Sequence, residues 1–224
     1  MIAGTEFIYS YKDLADMVEK CGFLPFFRNP IRGFSVEERT PPHLWFASDA
    51  DGPWEWKGPV IRETGCAYGK FFKGKAGFIS REWYSDFANY RRDGYDFDAR
   101  CDEGLANYRD RTVYGVLEAH PRLLSKDWRR LSGMKDRAVF DAAVTRLQML
   151  GYVVTSDFVY AVGKDGKPYG WGLSEFSTCE QFFGKEMIRE SYGRSPEESK
   201  ERMETHLRNL FTDASGREIA FITG

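Results

Sequence analysis

Apolar positions near the start of the chain follow the period of an amphipathic helix. Leu14, Met17 and Val18 stand at positions i, i+3 and i+4, between Ser10, which can cap a helix, and Gly22, which can end one. This spacing predicts a packing helix.

Residues 23–56 break this period. Prolines and glycines there alternate with aromatic residues, among them Phe26, Phe27, Trp45, Trp54 and Trp56. A solvated linker would leave too much of this apolar surface in water. We therefore expect the segment to fold over a core or to line a cleft.

A hairpin and a helix are predicted next. Residues 66–72 and 76–79 are strand-like and flank a turn at residues 73–75. A helix with one broad aromatic face is predicted to begin after Ser80 and to end at Gly94. Residues 94–100 are predicted to form a turn that leads away from it.

Residues 108–176 alternate between helical and strand-like patterns. The first helix ends before Pro121, Ser125 can cap a short second helix, and the third runs from about residue 136 to residue 150. Strand-like residues 153–162 and 169–176 then flank a loop that contains Asp165-Gly166, a strong hairpin signal. This order predicts a winged helix-turn-helix.

The C-terminal part is helical again. Thr178 with Gln181, and Ser195 with Glu198, have the spacing of capping boxes. These helices are predicted to pack the central module against the first one, the alternative being a partner-binding helix. The residues after Thr212 are predicted to be a short, frayed tail.

Together these patterns predict an α+β protein with three parts. They are an aromatic-rich module at residues 1–104, a winged-helix module at residues 105–176 and a C-terminal helical cap at residues 177–224 that packs on both.

Composition excludes disordered and fibrous proteins. The 224 residues are 42% hydrophobic and 29% charged. The net charge of -2 excludes a protein whose whole surface is coated with nucleic acid. Any binding of nucleic acid therefore has to use a local basic patch.

Residues 109–174 contain such a patch. They hold 11 Lys and Arg against 7 Asp and Glu, which gives +4 here and -6 in the rest of the chain. The candidates for nucleic-acid contacts are Lys126, Arg129, Arg130, Lys135, Arg137, Arg146, Lys164 and Lys167.

The third helix offers few groups that could read base edges. Its outward positions are predicted to include Arg137, Arg146 and Gln148, but also Asp141, which would repel phosphate. DNA binding directed to the backbone or to DNA shape is therefore the interpretation we favour. The alternative is that these charges only solvate a fold retained for packing.

The first module combines aromatic and basic residues. Aromatic rings that stack on bases, joined by cations, can form a nucleotide or single-strand pocket. Its candidate residues are Trp54, Trp56, Tyr68, Lys70, Trp83, Tyr90, Arg91 and Arg92. The alternative is that the rings form the core and the cations point outward.

Candidates for acid-base chemistry are few. Asp96 and Asp98 would share one face of an extended segment and could act as catalytic acids, and Glu55 lies between two tryptophans that could desolvate it. The four cysteines and three histidines are scattered, so we expect no disulfide, no metal site and no cofactor.

The chain has no apolar run of about 18 residues and no leader pattern near Met1. We therefore expect a cytoplasmic protein that does not associate with membranes.

Several short motifs occur at residues 54–57, 67–72, 77–80 and 87–96, and at Leu147-Gln148 and Tyr169-Gly170-Trp171. In these motifs the chain resembles the AlkZ-related group of bacterial proteins. The AlkZ glycosylases, to which this group is related, are tandem winged-helix proteins that excise bulky alkylated bases from DNA. The resemblance thus implies winged-helix DNA binding, DNA as the partner and a link to DNA repair.

The chain departs from the AlkZ glycosylases at their catalytic motif, which is Gln-x-Gln or Gln-x-Asp. Gln148 and Gln181 are the only glutamines, and neither is followed by Gln or Asp two residues later. The resemblance therefore transfers no catalytic residue. Besides DNA binding and base excision from a flipped base, two further classes stay open: a small-ligand sensor or pseudo-enzyme with an aromatic pocket, and a protein-interaction module.

Overall fold

The computed structural model describes residues 6–45, 52–164 and 168–224. The helices in chain order are α1 (Tyr11–Cys21), α2 (Val36–Arg39), α3 (Pro53–Thr64), α4 (Arg81–Arg92), α5 (Phe97–Asp102), α6 (Tyr108–Glu118), α7 (Ser125–Leu131), α8 (Arg137–Met149), α9 (Cys179–Phe183), α10 (Lys185–Arg189), α11 (Pro196–Leu210) and α12 (Gly216–Thr223). The strands are β1 (Phe23–Pro25), β2 (Ala67–Phe72), β3 (Lys75–Ile79), β4 (Leu123–Leu124), β5 (Val153–Val162) and β6 (Pro168–Thr178). The chain is thus a mixed α+β protein, as predicted.

One antiparallel sheet joins the two halves of the chain. Its strand order is β1-β3-β2-β5-β6-β4, and the pairing of Tyr68 with Thr155 connects β2 to β5. Gly77 is required in β3, because a Cβ there would lie 2.7 Å from the backbone oxygen of Leu24 and would collide with the Phe72 ring.

Three of the predicted helix caps are present. The Ser10 side chain accepts a hydrogen bond from the Asp13 amide at 3.3 Å, and Thr178 and Ser195 form the predicted capping boxes. Each cap provides a partner for an amide that the first turn of a helix leaves free. The predicted hairpin of β2 and β3 and the helix that follows it are confirmed as well.

The buried apolar side chains form two clusters. The first combines the N-terminal elements with the helices after β6 and contains Phe26, Trp56 and Phe78. The second contains Trp128 and Phe140 and lies among the elements from α5 to β6. The division into three modules stays a prediction.

The segment from α6 to β6 contains the predicted three helices and hairpin, with strand β4 in addition. Leu123 in β4 pairs with Phe176 in β6. The buried indole of Trp128 donates a hydrogen bond to the Val113 carbonyl at 2.8 Å, which ties α7 to α6. Ser125, predicted as the cap of α7, is its first residue instead, and Leu124 precedes it.

Two predictions of irregular structure were wrong. Residues 97–102 form helix α5, because the Asp96 carboxylate accepts the Ala99 amide at 2.8 Å and starts a helix where a turn was predicted. The segment after Thr212 is ordered as α12, which buries Ile219 and Ile222 against the first cluster.

The C-terminal helices are held to α4 by a buried carboxylate. Asp86 accepts hydrogen bonds from Ser199 at 2.8 Å, from Arg194 at 2.9 Å and from Arg202 at 3.1 Å. Three partners compensate for removing this charge from water.

Among the described residues, none of the helices is both long and apolar enough to span a lipid bilayer.

Candidate functional site

Three of the predicted DNA-contacting residues surround one depression of about 220 Å³ between α7, α8 and β6. Lys126 and Arg129 come from α7, and Arg137 comes from the first turn of α8. Ser125 at the start of α7 and the β6 residue Ser174 also line it. Three cations next to hydroxyl donors form a surface that suits a phosphate group.

The local fold explains why Lys126 and Arg137 point outward. Trp128 is fully buried in the middle of α7, so Lys126 and Arg130 on the opposite side of the helix are exposed. Asp136 caps α8 by accepting the Ala138 amide at 2.8 Å, and Arg137 follows it at the exposed start of the helix.

The predicted cations differ in how free they are to bind a ligand. Arg130 and Arg137 make only exposed ion pairs with carboxylates of their own helices, and Lys135 and Lys164 are exposed. Arg146 has a structural role, since its guanidinium donates two hydrogen bonds, at 2.7 and 3.2 Å, to the buried carboxylate of Asp110. Lys167 lies outside the described residues.

Gln148, a predicted outward residue of α8, is 1% exposed. Its amide group contacts the Lys70 amide and the Thr155 hydroxyl, both at 3.3 Å. The prediction that it could address bases is therefore wrong, because the side chain joins α8 to the sheet.

The structure does not bring the predicted aromatic pocket together. Trp56 and Tyr68 are buried in the first cluster. Trp83 stacks on His206 with ring centroids 4.4 Å apart, and the Tyr90 hydroxyl donates to the Gly224 carbonyl at 3.4 Å. These rings belong to packing contacts in different places.

The basic members of that prediction also contact protein. Lys70 is exposed and donates to the Thr145 hydroxyl on α8 at 3.3 Å. Arg91 donates to the Met149 carbonyl at 2.9 Å and to the Thr223 carbonyl at 3.3 Å.

Arg92 is only 2% exposed. It donates to the carboxylate of Glu180 at 2.8 Å and to the Gly151 carbonyl at 2.6 Å. Arg92 is therefore a structural residue that no ligand at the surface can reach, contrary to the pocket prediction.

The two predicted catalytic acids border an acidic cleft of about 290 Å³. Asp96 and Asp98 do not lie side by side on an extended strand: Asp96 caps α5, and Asp98 is in the first turn of that helix. Glu118 at the end of α6 and Glu180 at the start of α9 complete the set of carboxylates.

Sequence spacing could not indicate Glu118 and Glu180, because the fold brings them to α5 from distant parts of the chain. Lys185 and Arg189 of α10 also line the cleft and supply positive charge to it.

The electrostatics of the cleft raise the pKa of one of its carboxyl groups. Partial desolvation, and then repulsion from Asp98 and Glu180, raise the pKa of Glu118 above its ordinary value, and the nearby Lys185 opposes this shift in part. A carboxyl group that keeps its proton to a higher pH is suited to proton donation.

Within the described residues, no group of His, Cys, Asp and Glu side chains is arranged to hold a metal ion.

We expect Glu118→Gln to raise the stability of the protein slightly at pH 7. Folding raises the pKa of Glu118, so the folded protein binds this proton more tightly than the unfolded chain does. The stabilisation that results is complete below the pKa of Glu118 in the unfolded chain, and it is lost as the pH rises through the pKa of Glu118 in the folded protein. The side chain is exposed, so the gain at pH 7 is about a few tenths of a kcal/mol.

Urea unfolding at pH 7 and near pH 3 tests this prediction, with Glu201→Gln on the exposed side of α11 as the control. The gain from Glu118→Gln should be smaller near pH 3 than at pH 7. A variant less stable than the wild type at pH 7 would contradict the proposed repulsion.

Comparison with known proteins identifies the family of the chain. Neither a curated protein nor a solved structure matches the chain. A family model with the description AlkZ related matches residues 8–224, nearly the whole chain, and the protein therefore belongs to the AlkZ-related family.

Proposed function

We propose that this protein binds duplex DNA through the phosphate backbone, using a winged helix-turn-helix formed by α6 to β6. The observation that carries the proposal is the depression that Lys126, Arg129 and Arg137 share at the junction of α7, α8 and the hairpin. In a winged helix-turn-helix this junction faces the DNA.

The order of elements supports the winged-helix assignment. A helix, a short strand, two more helices and a two-stranded hairpin follow one another from Tyr108 to Thr178, and β4 pairs with the second strand of the hairpin. The hairpin of β5 and β6 corresponds to the wing, and the exposed Lys164 lies at its end.

The side chains of α8 support contacts to phosphates rather than to bases. Gln148 is buried and Arg146 is held by Asp110, which leaves Arg137 as the cation at the start of the helix. Its partner Asp141 also borders the depression and would repel a phosphate placed deep along α8. Reading base edges needs free amide or guanidinium groups, which α8 presents only in its first turn.

Family membership supports a connection with DNA repair. The acidic cleft offers carboxylates for the base excision that AlkZ glycosylases perform, although the Gln-x-Gln motif is absent. We therefore propose a DNA-repair-related protein in which backbone binding is the primary activity.

Fluorescence anisotropy with two duplexes of about 20 base pairs and unrelated sequence tests the proposal. Backbone binding predicts Kd values within about threefold of each other and a steep loss of affinity between about 50 and 200 mM salt. Absence of binding at about 50 mM salt would overturn it.

A further inference from the structure

The amine of Lys57 on α3 is packed among four aromatic rings. Its Nζ lies 4.2 Å from the ring centroid of Phe158 and 5.0 Å from that of Trp54, and the rings of Tyr68 and Phe26 are 5.9 and 6.0 Å away. The rings come from α3, β2, β5 and the residue after β1, so the tertiary fold assembles them around the amine. Cation–π attraction holds an ammonium group in such a place.

The amine has no partner of opposite charge. In the described part of the chain, Lys57 forms neither a hydrogen bond nor an ion pair. Asp157, which precedes Phe158 in β5, is paired with Arg62, and Glu55 is an exposed neighbour on α3. The Lys57 side chain is partly exposed and its Nζ is not fully buried, so a small reactant can reach it from solvent.

These surroundings make the amine more acidic than that of an ordinary lysine. Burial lowers the pKa of Lys57 to about 8, and the Glu55 carboxylate opposes the shift only in part. An exposed lysine, with a pKa of about 10.4, is almost entirely protonated at pH 7. About a tenth of Lys57 is the free amine at that pH, and the free amine is the nucleophilic form.

We propose that Lys57 is a nucleophilic amine that forms an imine with a small apolar aldehyde. The nitrogen lone pair attacks the carbonyl carbon, and the resulting carbinolamine loses water. A C=N bond replaces the C=O bond, the carbonyl oxygen leaves with both hydrogens of the amine, and nothing is oxidised or reduced. The protonated imine is again a cation, so the same rings stabilise it in place of the ammonium.

The groups around the amine favour an apolar aldehyde over an anionic one. Ring faces surround Nζ, and the charged group that acts on it is the carboxylate of Glu55. An aromatic aldehyde can pack against the rings, whereas a carboxylate-bearing aldehyde is repelled by Glu55. The inference goes beyond DNA binding and uses none of the residues of the depression between α7, α8 and β6.

Reductive trapping with benzaldehyde tests the proposal on the full chain. Sodium cyanoborohydride converts each imine into a stable secondary amine, and peptide mass spectrometry then assigns the modified lysine. At pH 7, Lys57 is expected to be labelled at least about 10-fold faster than the exposed Lys12 and Lys126, because more of it is free amine. Labelling of Lys57 no faster than that of the two exposed lysines would overturn the proposal.

The pH dependence of the same reaction tests the cause of the faster labelling. The ratio of Lys57 to Lys12 labelling in one sample should be constant between about pH 6 and 7 and should fall between about pH 8 and 9.5, since Lys57 loses its proton first. The comparison within one sample cancels the effect of pH on the reductant. A ratio that stays constant over the whole range would contradict the assigned reactivity.

Two further arms test the role of the rings. In the wild type, the ratio of Lys57 to Lys12 labelling should be at least about threefold higher with benzaldehyde than with glyoxylate, an anionic aldehyde. Phe158→Leu removes the ring closest to Nζ and should lower the benzaldehyde ratio at least about threefold. Phe182→Leu, at a partly buried ring of α9, is the matched control and should leave the ratio unchanged. Equal ratios for the two aldehydes would overturn the preference for an apolar reactant.

Discussion

Replacing Arg92 by methionine is expected to lower the free energy of unfolding by about 3–5 kcal/mol. Arg92 is buried, and its guanidinium holds the Glu180 carboxylate and the Gly151 carbonyl. The substitution leaves a largely buried carboxylate without its cation, and this residual charge, rather than the lost ion pair, accounts for most of the effect.

Urea unfolding followed by circular dichroism measures this loss. The matched control is Arg202→Met, because Arg202 is 53% exposed and its partner Asp86 keeps Arg194 as a second cation. The free energy of unfolding of the control is expected to fall by less than about 1 kcal/mol.

Adding Glu180→Gln to Arg92→Met should recover part of the loss, since the uncompensated charge is removed. A loss below about 1 kcal/mol in Arg92→Met would show that Arg92 is not a buried structural charge.

Replacing Lys126, Arg129 and Arg137 together by Gln is expected to weaken duplex DNA binding at least about tenfold near 100 mM salt. All three line the same depression and none makes a buried ion pair, so their loss removes charge without disturbing the core. The free energy of unfolding should therefore change by no more than about 0.5 kcal/mol.

The matched control for this variant replaces Lys12, Arg32 and Arg217, which are exposed elsewhere on the surface. It changes the net charge by the same amount and should bind DNA nearly as the wild type does. Equal losses in both triple variants would mean that total charge, not the surface of α7 and α8, determines binding.

Local signals explain which parts of the fold were predictable from the sequence. Ser10, Thr178 and Ser195 act within a few residues of themselves, so their caps could be read directly. The periodicity of apolar residues in the segment from α6 to β6 also indicated its helices and strands directly. The same type of signal was missed at Asp96 and Ser215, which cap α5 and α12.

The candidate site was harder to predict because it depends on which side chains the tertiary fold buries. Arg91 and Arg92 are adjacent and chemically alike, yet Arg92 is enclosed and Arg91 is partly exposed. Gln148 looks like a surface residue of an amphipathic helix until the sheet covers it. The acidic cleft unites residues 96, 98, 118 and 180, whose proximity no spacing rule predicts.

The salt dependence of duplex binding tests the central claim, that the chain contacts the DNA backbone through α7 and α8. Each phosphate contact contributes about 0.9 to the slope of log Kd against log salt concentration. Between about 50 and 200 mM salt, the slope for the Lys126, Arg129 and Arg137 variant should therefore be about 2.7 smaller than that of the wild type. Equal slopes for the two proteins would contradict the account.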